Sequence, residues 1–256
     1  MRRRYCFFDY DGTLRSRSLD AVPASARAAL DKLRENGHFV ALATGRLQSD
    51  ALEVLAPCGI DTMVADGGNS VTVDGKLISI EGMPLEPSRA FAHRLDDEGW
   101  AWAVNCENAR TCLTRDERYA SLVTHLYYTP VVDPALDIDT LDPIYKIFVP
   151  CKKGDEQAID FTGVTWARYS DELIYIEPTD KSRGIRKMMK LLDAPIEDVI
   201  VFGDGTNDVD MFRPEWTSVA MGNAVPELKE RADLVTSSVD EDGIWNACVK
   251  LGLIEE

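Results

Sequence analysis

Two aspartates one residue apart, Asp9 and Asp11, close the apolar run in YCFFDYDGTL near the start of the chain. In an extended strand residues i and i+2 point to the same side, so both carboxylates converge where the strand ends. Like charges so close repel unless a hard cation or a shared proton joins them. A second acid pair, Asp204 and Asp208, stands in GDGTND directly after the run VIVF, with Asn207 between the two. Mg²⁺ takes oxygen ligands of this kind, one or two carboxylates completed by water. The segment ATGR at 43–46 offers three grips for an oxyanion: the Thr44 hydroxyl at a strand end, the bare backbone of Gly45 and the Arg46 guanidinium. Lys181, in PTDKSRG, adds one more cation. Together these residues predict a divalent-cation site beside a phosphoryl grip.

The elements that must position them follow from hydrophobic periodicity. YCFFDY, FVALAT (39–44) and TMVA read as buried strands, separated by helices at 23–36 and 48–56. Strand, helix, strand with short joints is the pattern of a parallel sheet covered on both faces. SVTV and KLISI flank Asp74-Gly75, a two-residue hairpin signal. The middle of the chain changes character, with helices predicted at 86–98 and 154–161 and strands near 101–105, 110–114, 144–149, 164–169 and 173–177. That mixture predicts an inserted α+β unit. The alternating pattern returns with a helix at 183–192, the strand DVIVFG, a helix at 207–213, the strand TSVAM, a helix at 224–232, the short strand DLVT and a terminal helix. In such open sheets ligands bind beyond the carboxyl ends of the strands, which is where the acids and Thr44 fall.

Composition narrows the function classes. The chain has 256 residues, 45% of them hydrophobic and 28% charged, and a formal net charge of −16. Anionic partners are disfavoured by that charge, so neither nucleic acid nor a membrane surface is expected. The six cysteines form no CxxC pair, and with three histidines there is no zinc spacing. No segment has the apolar length of a signal-peptide core or a membrane span, and a reduced, cytoplasmic protein is expected.

DYDGTL, ATGR, Lys181 and GDGTND, in this order, resemble the four motifs of the haloacid dehalogenase superfamily of phosphohydrolases. Within it the chain is similar to the Cof-like subfamily, whose tail VAMGNAVPELKERADLVT (219–236) resembles. The resemblance implies an α/β fold with a Rossmann-like parallel-sheet core in 1–81 and 178–256, and an inserted α+β cap at 82–177 that selects substrate. It implies Asp9 as nucleophile forming an aspartyl-phosphate and Asp11 as the acid and base that serves the leaving alcohol and then water. Mg²⁺ is implied at Asp9, the backbone carbonyl of Asp11 and Asp204, with Asp208 as a further ligand or a holder of its waters. Thr44, Gly45, Arg46, Lys181 and Asn207 are implied as phosphoryl grips. The expected activity is Mg²⁺-dependent hydrolysis of a small phosphorylated metabolite: a sugar phosphate, a nucleotide or a cofactor phosphate. A phosphotransferase or mutase acting on sugar phosphates is the alternative on the same scaffold. A monomer or weak homodimer is expected.

Two departures from the family pattern stand out. The turn Pro178-Thr179-Asp180 before the lysine is short and Ser182 follows it, and the loop after the third strand reads Asp66-Gly67-Gly68 in place of Asn-Gly. The aromatics of the inserted unit (Trp100, Trp102, Tyr127, Tyr128, Trp166, Tyr169, Tyr175) are mostly expected in its core, and His93 and His125 as surface or packing residues. Rival classes fit poorly. A receiver domain needs about half this length, GDGTND lacks the third glycine of a dinucleotide fingerprint, and no P-loop pattern is present.

Overall fold

The computed structural model of the chain describes residues 2–124 and 128–255. The expectations for His125 and Tyr127 lie outside these residues. The described chain divides into two compact units, one of residues 1–46, 51–79 and 180–256, the other of residues 47–50 and 80–179.

The first unit is built on one eight-stranded sheet. Its strands are β1 (Tyr5–Phe8), β2 (Phe39–Ala43), β3 (Met63–Ala65), β4 (Ser70–Val73), β5 (Lys76–Ile80), β12 (Val199–Gly203), β13 (Thr217–Ala220) and β14 (Leu234–Val235), in the order β14-β13-β12-β1-β2-β3-β4-β5. From β14 to β3 the strands are parallel, and β4 turns back antiparallel on β3. The central strands are continuous apolar runs because both of their faces are covered. Phe7, Phe8 and Phe202 are fully buried, each such side chain contributing roughly 1.5–3 kcal/mol. Phe8 and Phe202 are register partners and stack at 4.4 Å, one residue before Asp9 and two before Asp204. That contact fixes the two strand ends side by side.

Helices α1 (Ala24–Glu35), α4 (Lys181–Leu191), α5 (Pro226–Arg231) and α6 (Gly243–Lys250) belong to this unit, and α2 (Gln48–Leu55) lies mostly in it. Ala26, Ala29, Leu30 and Leu33 form the buried stripe of α1, at the spacing of one helix face. The predicted helix at 207–213 is instead a 3-10 turn, Thr206–Met211. The Asp208 side chain accepts the backbone N–H groups of Asp204 and Gly205, which curls the segment too tightly for an α-helix.

The second unit has a six-stranded mixed sheet, ordered β10 (Trp166–Ser170), β11 (Leu173–Ile176), β9 (Lys146–Pro150), β6 (Ala103–Asn105), β7 (Thr111–Thr114) and β8 (Thr129–Val132). Its two faces bury alternate residues. Trp102, Val104, Ile147, Val149, Ile174 and Ile176 join Phe91 and Leu95 of α3 (Leu85–Asp97) in one cluster. Ala101, Ala103, Phe148, Leu173 and Tyr175 join Leu47, Tyr119 and Tyr128 in the other. The alternating residues of AWAVN (101–105) thus contribute to two packed faces. Trp102, Tyr128 and Tyr175 are core residues as expected, whereas Trp166 and Tyr169 are 38% and 51% exposed. His93 lies on the outer side of α3 beside Asp139, at 3.0 Å. The predicted helix at 154–161 is only a 3-10 turn, Asp155–Ala158, whose side chains are all at least partly exposed. Without a buried stripe it has nothing to extend it. Lys146 and Glu177 form a buried ion pair on the sheet.

Residues 47–50 fall with this unit through polar contacts: Asn108 donates to Gln48 at 2.7 Å and accepts the Ser49 N–H at 3.0 Å, and Arg110 pairs with Asp50. Among the described residues no helix is long and apolar enough to cross a membrane.

Candidate active site

The strand order reverses at β1, which has β2 on one side and β12 on the other. This is the topological switch point at which open α/β sheets bind ligands. Asp9 follows β1, Thr44 follows β2 and Asp204 follows β12. The Asp9 N–H donates to the Phe202 carbonyl at 2.9 Å, carrying the sheet's bonding one residue beyond the strand.

Lys181 stands in the middle of the acids. Its Nζ donates to Asp9 Oδ1 at 2.7 Å and to Asp208 Oδ1 at 2.6 Å, and the side chain is 1% exposed. It occupies the first position of α4 because Asp180 caps that helix, its carboxylate accepting the Arg183 N–H at 3.0 Å and the Ser182 hydroxyl at 2.7 Å. The short turn and the serine are thus a helix start. The glycine loop after β3 explains the close approach of this segment. Gly68 has φ +107°, and a Cβ there would lie 2.0 Å from the Asp180 carbonyl oxygen, so only glycine fits.

Asp204 is held from the opposite side. Thr13 donates its hydroxyl to Asp204 Oδ1 at 2.8 Å. Gly12, at φ +108°, packs so closely that a Cβ would sit 2.2 Å from Asp204 Oδ2. The Gly12 carbonyl accepts from Asn223 Nδ2 at 2.8 Å, and Asn223 Oδ1 accepts the Val239 N–H at 2.9 Å. The glycine-asparagine-alanine loop of the tail therefore braces the first motif. Asp208 spends both carboxylate oxygens: Oδ1 on Lys181, and Oδ2 on the N–H groups of Asp204 and Gly205, each at 2.9 Å.

Asp9, Asp204 and Asp208 thus form one buried group whose ligand atoms lie within 4.8 Å of one another. Its electrostatics are costly. Burial, then the nearby Asp208, pushes Asp9 up to about 8, with Lys181 pulling the other way. Burial and Asp208 push Asp204 up to about 6, opposed by the Thr13 hydrogen bond and the charge of Arg17. Burial works against the charge on Lys181, but Asp208 and Asp9 outweigh it and raise its pKa.

The other sequence-predicted residues are arranged differently. The Asp11 carboxylate faces arginines: Arg46 Nε reaches Oδ2 at 2.8 Å, Arg46 Nη2 reaches Oδ1 at 3.0 Å and Arg15 Nη1 reaches Oδ1 at 3.2 Å. Its backbone carbonyl accepts from Arg17 Nη2 at 2.9 Å. Arg46 therefore grips Asp11, where the sequence had placed it on an oxyanion. Thr44 is buried; its hydroxyl oxygen accepts the Arg46 N–H at 3.1 Å, and its hydroxyl hydrogen is not used in that bond. Gly45 is half-buried beside it. Asn207 is half-buried on the 3-10 turn, its amide oxygen 2.5 Å from where a Gly205 Cβ would lie.

The sequence pattern of haloacid dehalogenase-like hydrolases matches residues 6–248. The chain belongs to the haloacid dehalogenase-like hydrolases. Like other members of that family it is an enzyme, and the expected class, a phosphoric monoester hydrolase, stands. The chain is 31% identical to YkrA of Bacillus subtilis (strain 168) over 264 aligned positions, covering all of both proteins. It is 25% identical to the 5-amino-6-(5-phospho-D-ribitylamino)uracil phosphatase YwtE of the same organism, over 92% of this chain and 93% of that one. Among solved structures, the subclass IIB sugar phosphatase BT4131 superposes with a TM-score of 0.80 at 25% identity, covering 98% of this chain and 100% of the other.

Sequence reasoning missed Thr13, Asn223, Arg15 and Arg17 among the residues around this candidate site. Thr13 and Asn223 sit inside motifs that were recognised, and their distance from the other acids in the chain hid what they touch. Arg15 and Arg17 follow DYDGTL in a stretch with no periodic signal.

Proposed function

We propose that the chain is a Mg²⁺-dependent phosphatase that hydrolyses a small phosphorylated metabolite through an aspartyl-phosphate on Asp9. The observation carrying this reading is the buried group Asp9, Asp204 and Asp208 around Lys181. Three carboxylates against one ammonium leave an excess of buried negative charge, and their all-oxygen donor set suits a hard divalent cation. Burial first, and then the charge of Asp208, raise the pKa values of Asp9 and Asp204 within this group. Asp9 and Asp204 would hold the metal directly, with Asp208 fixing the loop between them. Bound there, Mg²⁺ supplies positive charge to the phosphoryl oxygens as the transfer proceeds.

The chain's own residues supply the rest. The Asp9 carboxylate attacks phosphorus while the ester's P–O bond breaks, and Asp11 gives a proton to the departing alcohol. Asp11 then takes a proton from water as that water attacks the phosphoryl group. The bond from phosphorus to Asp9 breaks, releasing inorganic phosphate and restoring the carboxylate. Arg46 meets both oxygens of the Asp11 carboxylate, the form left once its proton has gone to the alcohol and before water supplies the next. Lys181 and the Thr44 hydroxyl are the donors for the phosphoryl oxygens. The second unit serves as the substrate-selecting cap. YwtE and BT4131, named for phosphorylated small molecules and sugars, support the substrate class.

The test is phosphate release from p-nitrophenyl phosphate and a panel of phosphorylated metabolites, with Mg²⁺ and with chelator. Asp9→Asn is expected to lower kcat by several orders of magnitude with the fold intact, and chelator to abolish release. Wild-type turnover by Asp9→Asn, or release indifferent to metal, overturns the mechanism.

A further inference from the structure

Three guanidinium groups meet at one residue of this acidic protein. Arg46 and Arg15 share the Asp11 carboxylate, and Arg17 takes the Asp11 carbonyl. Arg15 also pairs with the exposed Asp20. Arg17 differs from the other two. It is exposed, it spends one of its five donors on a backbone carbonyl, and it has no carboxylate partner among the described residues. Its Nη2 lies 2.9 Å from the carbonyl of Asp11, two residues along the chain from Asp9, which places it beside the buried acids. A single phosphate would already be met by Lys181 and the metal. Arg17 therefore offers a cation that a substrate with only one anionic group would leave unanswered.

Resting on the phosphatase reading above, we propose that Arg17, flanked by Arg15, binds a second anionic group on the substrate, so that the preferred esters carry another phosphate or a carboxylate near the one removed. The planar guanidinium matches either group in a two-pronged contact. A charged hydrogen bond of this kind is expected to give about a ten- to hundredfold preference.

The experiment measures binding by calorimetry to the full-length Asp9→Asn protein in Mg²⁺, so that turnover does not intervene. Glucose 1,6-bisphosphate is compared with glucose 6-phosphate, and 3-phosphoglycerate with glycerol 3-phosphate. The partner with two anionic groups in at least one pair is expected to bind about tenfold tighter or more, and adding Arg17→Gln should remove that advantage. A preference in the first pair alone assigns the second group as phosphate, and in the second pair alone as carboxylate. Equal affinity within both pairs, no binding of any of the four, or a preference that survives Arg17→Gln overturns the proposal. So does an Arg17→Gln that weakens both members of a pair alike, which is what a role confined to stapling the loop would produce. Wild-type protein that releases no phosphate while the binding preference persists removes the phosphatase reading and leaves the anion site standing.

Discussion

Thr13 donates to Asp204 at 2.8 Å across 191 residues of chain, tying the turn after β1 to the loop after β12. The bond is buried and its acceptor is an acid of the proposed metal group. Thr13→Val keeps the shape and removes the donor. Loss of a supporting contact to a metal ligand typically lowers metal affinity about 10–100-fold. The apparent Mg²⁺ constant for activity is expected to rise within that range, measured by titrating the metal at saturating ester. An unchanged constant would mean that Asp204 does not bind the metal.

Lys181→Met leaves Asp9 and Asp208 buried without their ammonium. Removing one partner of a buried pair costs about 3–5 kcal/mol, to be read by chemical denaturation in chelator. Mg²⁺ should restore more stability to this variant than it adds to wild type, because the metal would then be the only cation left among three acids. Activity should fall at least about a hundredfold, as when one donor to a developing oxyanion is lost.

Stability should depend on pH in a definite direction. Asp9 and Asp204 are raised to about 8 and about 6 in the folded protein, mainly by burial. A carboxylate raised on folding favours the folded state below its unfolded value, near 4, and that contribution is lost as pH climbs through the folded value. The metal-free protein should therefore lose stability between about pH 4 and 8. Metal binding must displace the same protons, so the rise in Tm on adding Mg²⁺ should be larger at pH 8.5 than at pH 5.5. A rise that is flat with pH would contradict the assigned ligand group.

Asp9, Asp204, Asp208 and Lys181 were legible in the sequence because each stands where an apolar run stops or a helix begins, and because few roles suit acids among glycines. The partners that hold them were not legible. Thr13 reads as part of a turn, and only the sheet order reveals that it faces Asp204. Arg46 looked like an oxyanion grip because its type and position fit one; nothing local shows that Asp11 lies within 2.8 Å of it. The two helices predicted at 154–161 and 207–213 failed for different reasons. The first has no residues to bury, and the second is bent by its own aspartate.

Lys146 and Glu177 offer a test confined to the second unit. The pair lies buried on its sheet. Lys146→Met alone should destabilise the protein by about 3–5 kcal/mol, while Lys146→Met combined with Glu177→Leu should recover most of the loss, since two apolar groups leave no charge stranded. Denaturation curves of the two variants decide it; a double variant no better than the single one would mean that the pair also braces the surrounding backbone.

The pairing of β1 with both β2 and β12 has a consequence for synthesis on the ribosome. Tyr5 has Phe39 and Val199 as its two register partners, one 34 and the other 194 residues further along the chain. At roughly 5–20 residues per second the second partner arrives about 10–40 s later. For that interval the edge of β1 beside Asp9 is an open ladder of unpaired amides and carbonyls. Residues 80–179 carry a core and a sheet of their own and are complete before β12 is made. The order of synthesis thus leaves β1 waiting for β12 with one edge unpaired until the second unit has been made.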